Sequence, residues 1–207
     1  MPSSAAKHVR DYFGVRTLLA AHPDMRRLKR ATNATHLHGN KLWGSAYLLI
    51  DYLQDNPLPN NCKVLDLGCG WGLASIYCAK ALRAEVTAMD ADPAVFSYLS
   101  LLAEHNDVEI STRTARFDEL STDELGQYDA IIASDICFWD EMSKEVFDLI
   151  ERAVDAGVKK IIIADPHRPP FLAVAEACID DYFAELTPRE VITSRHHRGS
   201  ILLIENA

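Results

Sequence analysis

Residues Val64 to Gly72 read VLDLGCGWG. The first half is a short apolar run, which predicts a buried strand. The second half places glycine at positions 68, 70 and 72, and glycine lets a backbone turn sharply and approach a bound molecule closely. A buried strand that ends in such a loop is typical of α/β proteins whose ligands lie at the carboxyl ends of the strands.

Downstream of this stretch, strand-like and helical patterns alternate. The strand-like runs are EVTAMD, DVEIS, YDAIIAS and KKIIIAD. The helical patterns cover Leu73 to Leu82, Pro93 to His105, Glu141 to Ala156 and, later, Phe171 to Asp181. This alternation predicts a parallel sheet with helices on both faces. At the end, FAELTPREVI and RGSILLIEN have no helix between them and predict an antiparallel pair. We therefore expect an α/β fold with a seven-stranded, mostly parallel, Rossmann-like sheet and an antiparallel C-terminal hairpin.

The region before the first strand has helical spacing. Apolar residues recur near helical intervals in the first 30 or so residues, and a second helix is predicted from Lys41 to Leu53. We expect a single domain over residues 1–207, in which residues 1–60 form an N-terminal helical extension.

Composition limits the class of partner. The 207 residues include 21 Lys and Arg against 30 Asp and Glu, a net charge of −9. Nucleic-acid binding needs many cationic contacts, so no nucleic acid is expected, and the acidity suits a cationic acceptor. No apolar run approaches the roughly 20 residues of a membrane-spanning helix, so no membrane is expected. The five cysteines form no C-x-x-C pair and indicate a reduced, cytoplasmic protein. No metal is expected, because His36 and His38 stand without a Cys or carboxylate cluster.

Two ligand classes compete for the glycine loop: a dinucleotide and S-adenosylmethionine. The spacing is G-x-G-x-G, and Leu73 stands where the dinucleotide pattern needs its third glycine. Asp66 would repel a pyrophosphate, but it suits the ammonium group of a methionine moiety. Asp90 lies 20 residues after Gly70, the usual place for a carboxylate that accepts hydrogen bonds from ribose hydroxyls. Both ligand classes share that carboxylate, so Asp66 and the spacing favour S-adenosylmethionine.

The run from Asp66 to Gly72 resembles the first motif of class I methyltransferases, which bind S-adenosylmethionine. This resemblance implies a set of cofactor-binding residues in the glycine loop and at the end of the next strand. They are Asp66, Gly68, Cys69, Gly70, Gly72 and Asp90.

Four further positions follow from a narrower resemblance. HGNKLWGSAYLLIDYL is similar to the Trp-containing helix of the seven-β-strand protein-lysine methyltransferases, which implies that Trp43 lines the cofactor pocket. A core position is the alternative for Trp43. Phe117 and Asp118 stand where this family contacts the adenine, although Asp118 also suits a helix cap. Ser134 matches a position whose backbone lies near the cofactor.

Two stretches bear on the methyl acceptor. YDAIIASDICFWDE resembles a family segment that carries D-x-x-Y, with Asp135 retained and Phe138 in place of Tyr. ADPHRPPF looks like the A-D-P-G-R segment of the branch that methylates the electron-transfer flavoprotein β subunit, with His167 in place of Gly. The resemblance implies that Asp135 and Phe138 are catalytic. The alternative for Asp135 is a cap of the helix that starts near Glu141.

We therefore expect an S-adenosylmethionine-dependent methyltransferase that acts on a protein lysine. An amine must be neutral when it attacks, and the charge of Asp135 favours the protonated form, so Asp135 is expected to position the amine rather than deprotonate it. One alternative is a small-molecule N- or O-methyltransferase. The other, which the missing Tyr hydroxyl at Phe138 suggests, is a catalytically inactive, cofactor-binding interaction protein.

Overall fold

The computed structural model describes residues 6–31 and 42–206. The strands are β1 (Val9–Tyr12), β2 (Val15–Leu18), β3 (Lys63–Leu67), β4 (Glu85–Asp90), β5 (Ser111–Thr114), β6 (Ala130–Ser134), β7 (Lys160–Asp165), β8 (Glu185–Ile192) and β9 (His196–Glu205). The helices are α1 (Pro23–Ala31), α2 (Gly44–Asp55), α3 (Leu73–Ala81), α4 (Val95–Glu104), α5 (Thr122–Leu125), α6 (Asp140–Asp155) and α7 (Pro169–Tyr182). No helix in these two ranges is long and apolar enough to cross a bilayer.

The central sheet has the strand order β5-β4-β3-β6-β7-β9-β8. Strands β3 to β7 run parallel, and β9 pairs antiparallel with both β7 and β8. This confirms the predicted seven-stranded sheet with its C-terminal hairpin. The chain moves to one side of β3 for β4 and to the other side for β6, so a crevice opens above the carboxyl end of β3, where open α/β sheets bind ligands.

Both faces of the sheet are buried. On β3, Val64 packs into the core layer that contains α2 and α3, while its neighbour Leu65 packs into the layer that contains α6 and α7. Ile162 and Ile161 on β7 divide between the layers in the same way. Because successive strand residues face opposite layers, a doubly covered strand needs an unbroken apolar run, which is the pattern that the sequence shows.

The start of the chain corrects one prediction. Val9 to Leu18 form a β-hairpin rather than a helix, with Tyr12 paired to Val15. The two residues between them, Phe13 and Gly14, have φ values of 57° and 77°. Two consecutive positive φ values define the turn that closes two-residue hairpins, and this turn decides the outcome over apolar spacing. Residues 32–41, which include His36 and His38, lie outside the described residues.

Polar contacts join these N-terminal elements to His105 and Asn106, which directly follow α4. The Asn106 side chain accepts a hydrogen bond from the Arg16 amide and donates one to the Arg16 carbonyl, each at 2.8 Å. His105 Nε2 lies 3.3 Å from Asp24 Oδ2, and the Asp24 amide donates to His22 Nδ1 at the start of α1. The His22, Asp24 and His105 side chains thus cluster within 4.8 Å of one another, and we assign them this structural role.

The third strand of the parallel set is also displaced from its predicted position. DVEIS was the expected strand, but β5 starts at Ser111, where DVEIS ends. Val108 and Ile110 still pack against the core, from an irregular segment before the strand. Strand β5 is at the sheet edge and pairs with β4 alone. An edge strand can be polar, so its apolar residues do not mark its position.

Gly199 on β9 offers a test of the close packing beside the site. A Cβ at this position would lie 2.2 Å from the Asp165 carbonyl oxygen and 2.8 Å from Leu48 Cδ1. We expect Gly199→Ala to lower the free energy of unfolding by about 3 kcal/mol, as overpacked sites do. Gly157→Ala is the matched control: its φ is 82° with open space around it, so it should cost about 1 kcal/mol of backbone strain. Urea denaturation measures both, and equal losses would contradict the close approach of β9 to Asp165.

Candidate functional site

A cavity of about 410 Å³ lies at the carboxyl ends of β3, β4 and β6. The structure brings nearly all of the predicted site residues to its walls. They are Trp43, Asp66, Gly68, Cys69, Gly70, Gly72, Asp90, Phe117, Ser134, Asp135 and Phe138. Asp118 does not line the cavity.

The three glycines of the loop have different reasons to be glycine. All have positive φ, at 62°, 53° and 73° for Gly68, Gly70 and Gly72. A Cβ on Gly68 would meet Ile136 at 2.8 Å, and one on Gly72 would meet Leu99 at 2.6 Å. No heavy atom lies within 4 Å of a Cβ built on Gly70, which lines the cavity. Packing therefore requires Gly68 and Gly72, whereas the bare backbone at Gly70 leaves room for a ligand.

Asp90 is held in place by the same loop. Its Oδ2 accepts from the Gly70 amide at 3.0 Å, and its Oδ1 accepts from the Asp92 amide at 2.9 Å. Burial raises the pKa of Asp90, and these backbone hydrogen bonds oppose the rise. A carboxylate oxygen can accept more than one hydrogen bond, so both oxygens keep capacity for ribose hydroxyls.

Asp66 lies deeper and has an unusual proton affinity. It is buried at the end of β3, and the Ser75 hydroxyl at the start of α3 donates a very short hydrogen bond to it. Burial raises the pKa of Asp66 to about 7, although the hydrogen bonds from Ser75 favour the ionised form. An ammonium group beside it would stabilise the carboxylate, whereas a phosphate would be repelled. The residue fits S-adenosylmethionine and not a dinucleotide.

The aromatic part of the loop holds residues that the sequence patterns did not single out. Trp71 lines the cavity and stacks on Tyr98, with ring centroids 4.7 Å apart.

Phe117, after β5, lines the cavity as predicted, and Arg116 lines it beside Phe117. Asp118 is 69% exposed and forms an ion pair with Arg116 at 3.6 Å. The structure therefore does not place Asp118 where it would contact an adenine.

The other part of the cavity is aromatic with acidic side chains. Trp43 and Phe138 meet edge to face, with centroids 5.3 Å apart, and both are partly exposed to the cavity. This position favours the pocket role of Trp43 over a core role. The N-terminal turns of α6 add Glu141 and Glu145, and Trp139 before them is 60% exposed. Of these three residues only Glu145 was not singled out by the sequence, because its position also suits a solvated helix.

Asp135 follows β6 and is buried with both oxygens bound. Its φ is 57°, a left-handed conformation that Asp tolerates better than most residues. Oδ1 lies 2.6 Å from Arg168 Nη1, and Oδ2 accepts from the Ser45 amide at 3.1 Å. Ser45 is in the first turn of α2, so Asp135 satisfies an amide there. The alternative that Asp135 caps α6 is wrong, since that helix begins at Asp140.

Arg168 is the main residue that the sequence analysis missed. It lies in the segment ADPHRPPF, which was noted only as a resemblance. The preceding His167 has a φ of 69°, a conformation that favours glycine, which explains why the resembling segment has Gly there. His167 Nε2 makes a 2.6 Å hydrogen bond with Ser200 Oγ, which helps to hold His167 in that conformation. The signal that pointed to Arg168 was therefore the segment as a whole.

Comparison with known proteins gives a consistent class. A family model described as a methyltransferase domain matches residues 64–157. The chain is 30% identical over 130 residues to the electron transfer flavoprotein beta subunit lysine methyltransferase of Xenopus laevis, which covers 62% of this chain and 52% of that protein. It is 28% identical over 145 residues to a ubiquinone biosynthesis O-methyltransferase of Xanthomonas axonopodis pv. citri, covering 68% and 58%. The chain thus spans about half the length of these curated relatives.

Solved structures agree on the fold. Precorrin-6y C5,15-methyltransferase from Geobacter metallireducens has a TM-score of 0.60 at 14% identity, over 84% of this chain and 94% of that one. TrmN from Thermus thermophilus also has a TM-score of 0.60, at 15% identity over 78% and 49% of the two chains. At these identities the likeness concerns the fold alone.

The strand order, the glycine loop with its carboxylates, and the family match define the class. The fold is that of the class I methyltransferases, and residues 64–157 match a methyltransferase domain, as the resemblance of the Asp66 to Gly72 segment implied. The cofactor of this class is S-adenosylmethionine, and the cavity residues fit it.

The role of Gly70 is testable with a matched pair of variants. Gly70→Ala and Gly14→Ala each place a Cβ on a residue with positive φ and open space around it, so each should cost about 1 kcal/mol of stability. Only the Gly70 methyl would enter the cavity. We expect calorimetry with S-adenosylhomocysteine to show at least tenfold weaker binding for Gly70→Ala and unchanged binding for Gly14→Ala. Equal affinities would contradict a ligand at Gly70.

The proton on Asp66 predicts a pH dependence of cofactor binding. The pKa of Asp66 is raised to about 7, and an ammonium group binds better to the ionised form. Lowering the pH from about 8 to about 6 should therefore weaken S-adenosylhomocysteine binding about tenfold. Asp66→Asn has no such proton and should show a flat dependence with weaker binding at about pH 8. A wild-type affinity that does not change between these two pH values would contradict the binding of the cofactor ammonium group by Asp66.

Proposed function

We propose that this chain transfers a methyl group from S-adenosylmethionine to the side-chain amine of a protein lysine. The observation that carries the proposal is the acceptor end of the cavity, which is lined by the Trp43 and Phe138 rings and by Glu141. Aromatic walls suit the four-carbon stem of a lysine, and carboxylates attract its ammonium group toward the site. The relative named for lysine methylation, 30% identical over 130 residues, supports the same acceptor.

The residues of the chain have three tasks in this reaction. Asp66, Asp90 and the backbone at Gly70 would hold the cofactor, which supplies an electrophilic methyl group on sulfur. Phe138 would orient the acceptor stem, and Trp43, which packs against Phe138, would stand between the acceptor and the cofactor, so that the acceptor nitrogen lies in line with the methyl–sulfur bond. The apolar walls exclude water, and alignment of this kind supplies much of the rate enhancement of a displacement reaction.

A second candidate is O- or N-methylation of a small molecule. The matching ubiquinone biosynthesis O-methyltransferases support it, and so does the apolar lining contributed by Phe138, Trp139 and Met142. An inactive binding protein is less well supported, because Phe138 keeps its aromatic contact with Trp43 and the cavity beside Asp135 is open. The five cysteines are free, which supports the reducing cytoplasm as the compartment in which the chain acts.

A labelling experiment separates the acceptors. The purified chain is incubated with methyl-labelled S-adenosylmethionine and a cell lysate, with Gly70→Ala as the control for background labelling. We expect label in protein, recovered as methylated lysine after hydrolysis, that is strongly reduced with the control. Purified electron-transfer flavoprotein β subunit serves as a defined candidate acceptor. Label confined to small metabolites would defeat the lysine proposal and favour the second candidate.

A further inference from the structure

A lysine amine must lose its proton before it attacks, so a carboxylate in the wall of the acceptor site would affect the reaction. Asp135 lines the cavity at the end of β6. A bare carboxylate within about 5 Å of an amine raises the pKa of that amine by 1–3 units and so keeps it protonated. A site for methylation of an amine therefore needs some way to reduce this charge.

Arg168 is placed to do so. Its Nη1 lies 2.6 Å from Asp135 Oδ1 and 2.7 Å from Asp165 Oδ2, and its own amide donates to Asp165 Oδ1 at 2.7 Å. The side chains of Asp135 and Asp165 are only 3% and 1% exposed, against 22% for Arg168. Little water reaches the ion pair, so the attraction is screened weakly.

The same guanidinium also covers an aromatic ring of the site. Its central carbon lies 4.4 Å from the centroid of Phe138, so the cation stands over one face of that ring. An acceptor ammonium therefore cannot stack on this face of Phe138, and the Asp135 carboxylate is already ion-paired with Arg168. The acidic attraction remains at Glu141 on α6, which also lines the cavity, whereas Glu145 is paired with Arg116 at 3.7 Å.

We propose that Arg168 is a positioning residue that lowers the net charge of the buried Asp135 and Asp165 pair from −2 to −1, so that the acceptor amine is held at the reacting end in its neutral, nucleophilic form. This inference rests on the proposed lysine acceptor. The amine gives its proton to water, its lone pair forms the new C–N bond, and the electron pair of the broken S–C bond stays on sulfur. The product nitrogen carries the positive charge.

Other titratable groups around Asp135 do not replace Arg168. Asp165 on β7 is an anion that shares the same cation, and Glu141 and Glu145 on α6 add further negative charge. The charge of Asp135 raises the pKa of His197 on β9, but burial and then the charge of Arg195 lower it by more. The ring of His197 is thus neutral at the pH where an amine is methylated.

The closing experiment uses four variants: Arg168→Met, Arg168→Lys, Asp135→Asn and the double variant Arg168→Met with Asp135→Asn. The acceptor is the lysine protein identified by labelling, and the measurement is kcat/KM against pH. Arg168→Met should move the acid limb upward by about one pH unit, Arg168→Lys should move it less, and the double variant should restore the limb. An unshifted limb in Arg168→Met, or a shift that the double variant keeps, would overturn the proposal.

A second readout does not need an acceptor. In Arg168→Met the buried carboxyls of Asp135 and Asp165 lose their cation, so the folded state binds protons more tightly than the unfolded state. Its melting temperature should therefore fall, relative to wild type, as the pH rises from about 5 to about 8. The melting temperature of the double variant should fall less over the same pH range. Parallel curves for wild type and Arg168→Met would overturn the charge pairing itself.

The outcomes distinguish this inference from the proposed function. S-adenosylhomocysteine affinity within about twofold of wild type shows that the variants are folded and loaded. Label on oxygen acceptors alone would overturn the lysine proposal and this inference together. Lysine labelling with an unshifted limb would overturn this inference alone.

Discussion

The fold depends on one constraint: the backbone after β3 must turn into α3 while leaving a free surface for a ligand. Gly68 and Gly72 meet this constraint through packing, because Ile136 and Leu99 occupy the space where their side chains would stand. Gly70 keeps the ligand surface free: its amide donates to Asp90, and its Cα faces the cavity. The loop thus joins β3, β4 and the first segment after β6, and the cavity forms where these three elements diverge.

The sequence predicted this half of the molecule well, because each feature there is local. An apolar run, a glycine spacing and a carboxylate at the end of the next strand are all readable within about 30 residues, the size of a βαβ unit. The prediction of secondary structure failed where a feature other than the spacing of apolar residues decided the conformation. Phe13 and Gly14 form a tight turn that converts a helical pattern into a hairpin. The edge strand β5 is polar, and the apolar residues Val108 and Ile110 lie before it, so the sequence pattern placed this strand too early.

The acceptor end was only partly predictable for a related reason. Asp135 was found from its position after a buried strand, but its partners come from distant segments. Ser45 stands 90 residues before it, and Arg168 follows the next strand of the sheet. Sequence spacing carries no information about such contacts, so a carboxylate that looked free for an amine is in fact bound on both oxygens. Asp118 shows the converse, since a residue at a family position turns away to pair with Arg116.

The placement of the aromatic residues has a spectroscopic consequence. The chain has 3 tryptophans, and Trp43, Trp71 and Trp139 all line the same cavity. Their indole rings lie in different parts of its wall: before α2, in the glycine loop and before α6. The tryptophan fluorescence of the protein therefore comes from its site and from no other part of the fold. The molecule carries its own optical reporter of whatever enters that cavity, without an added dye or label.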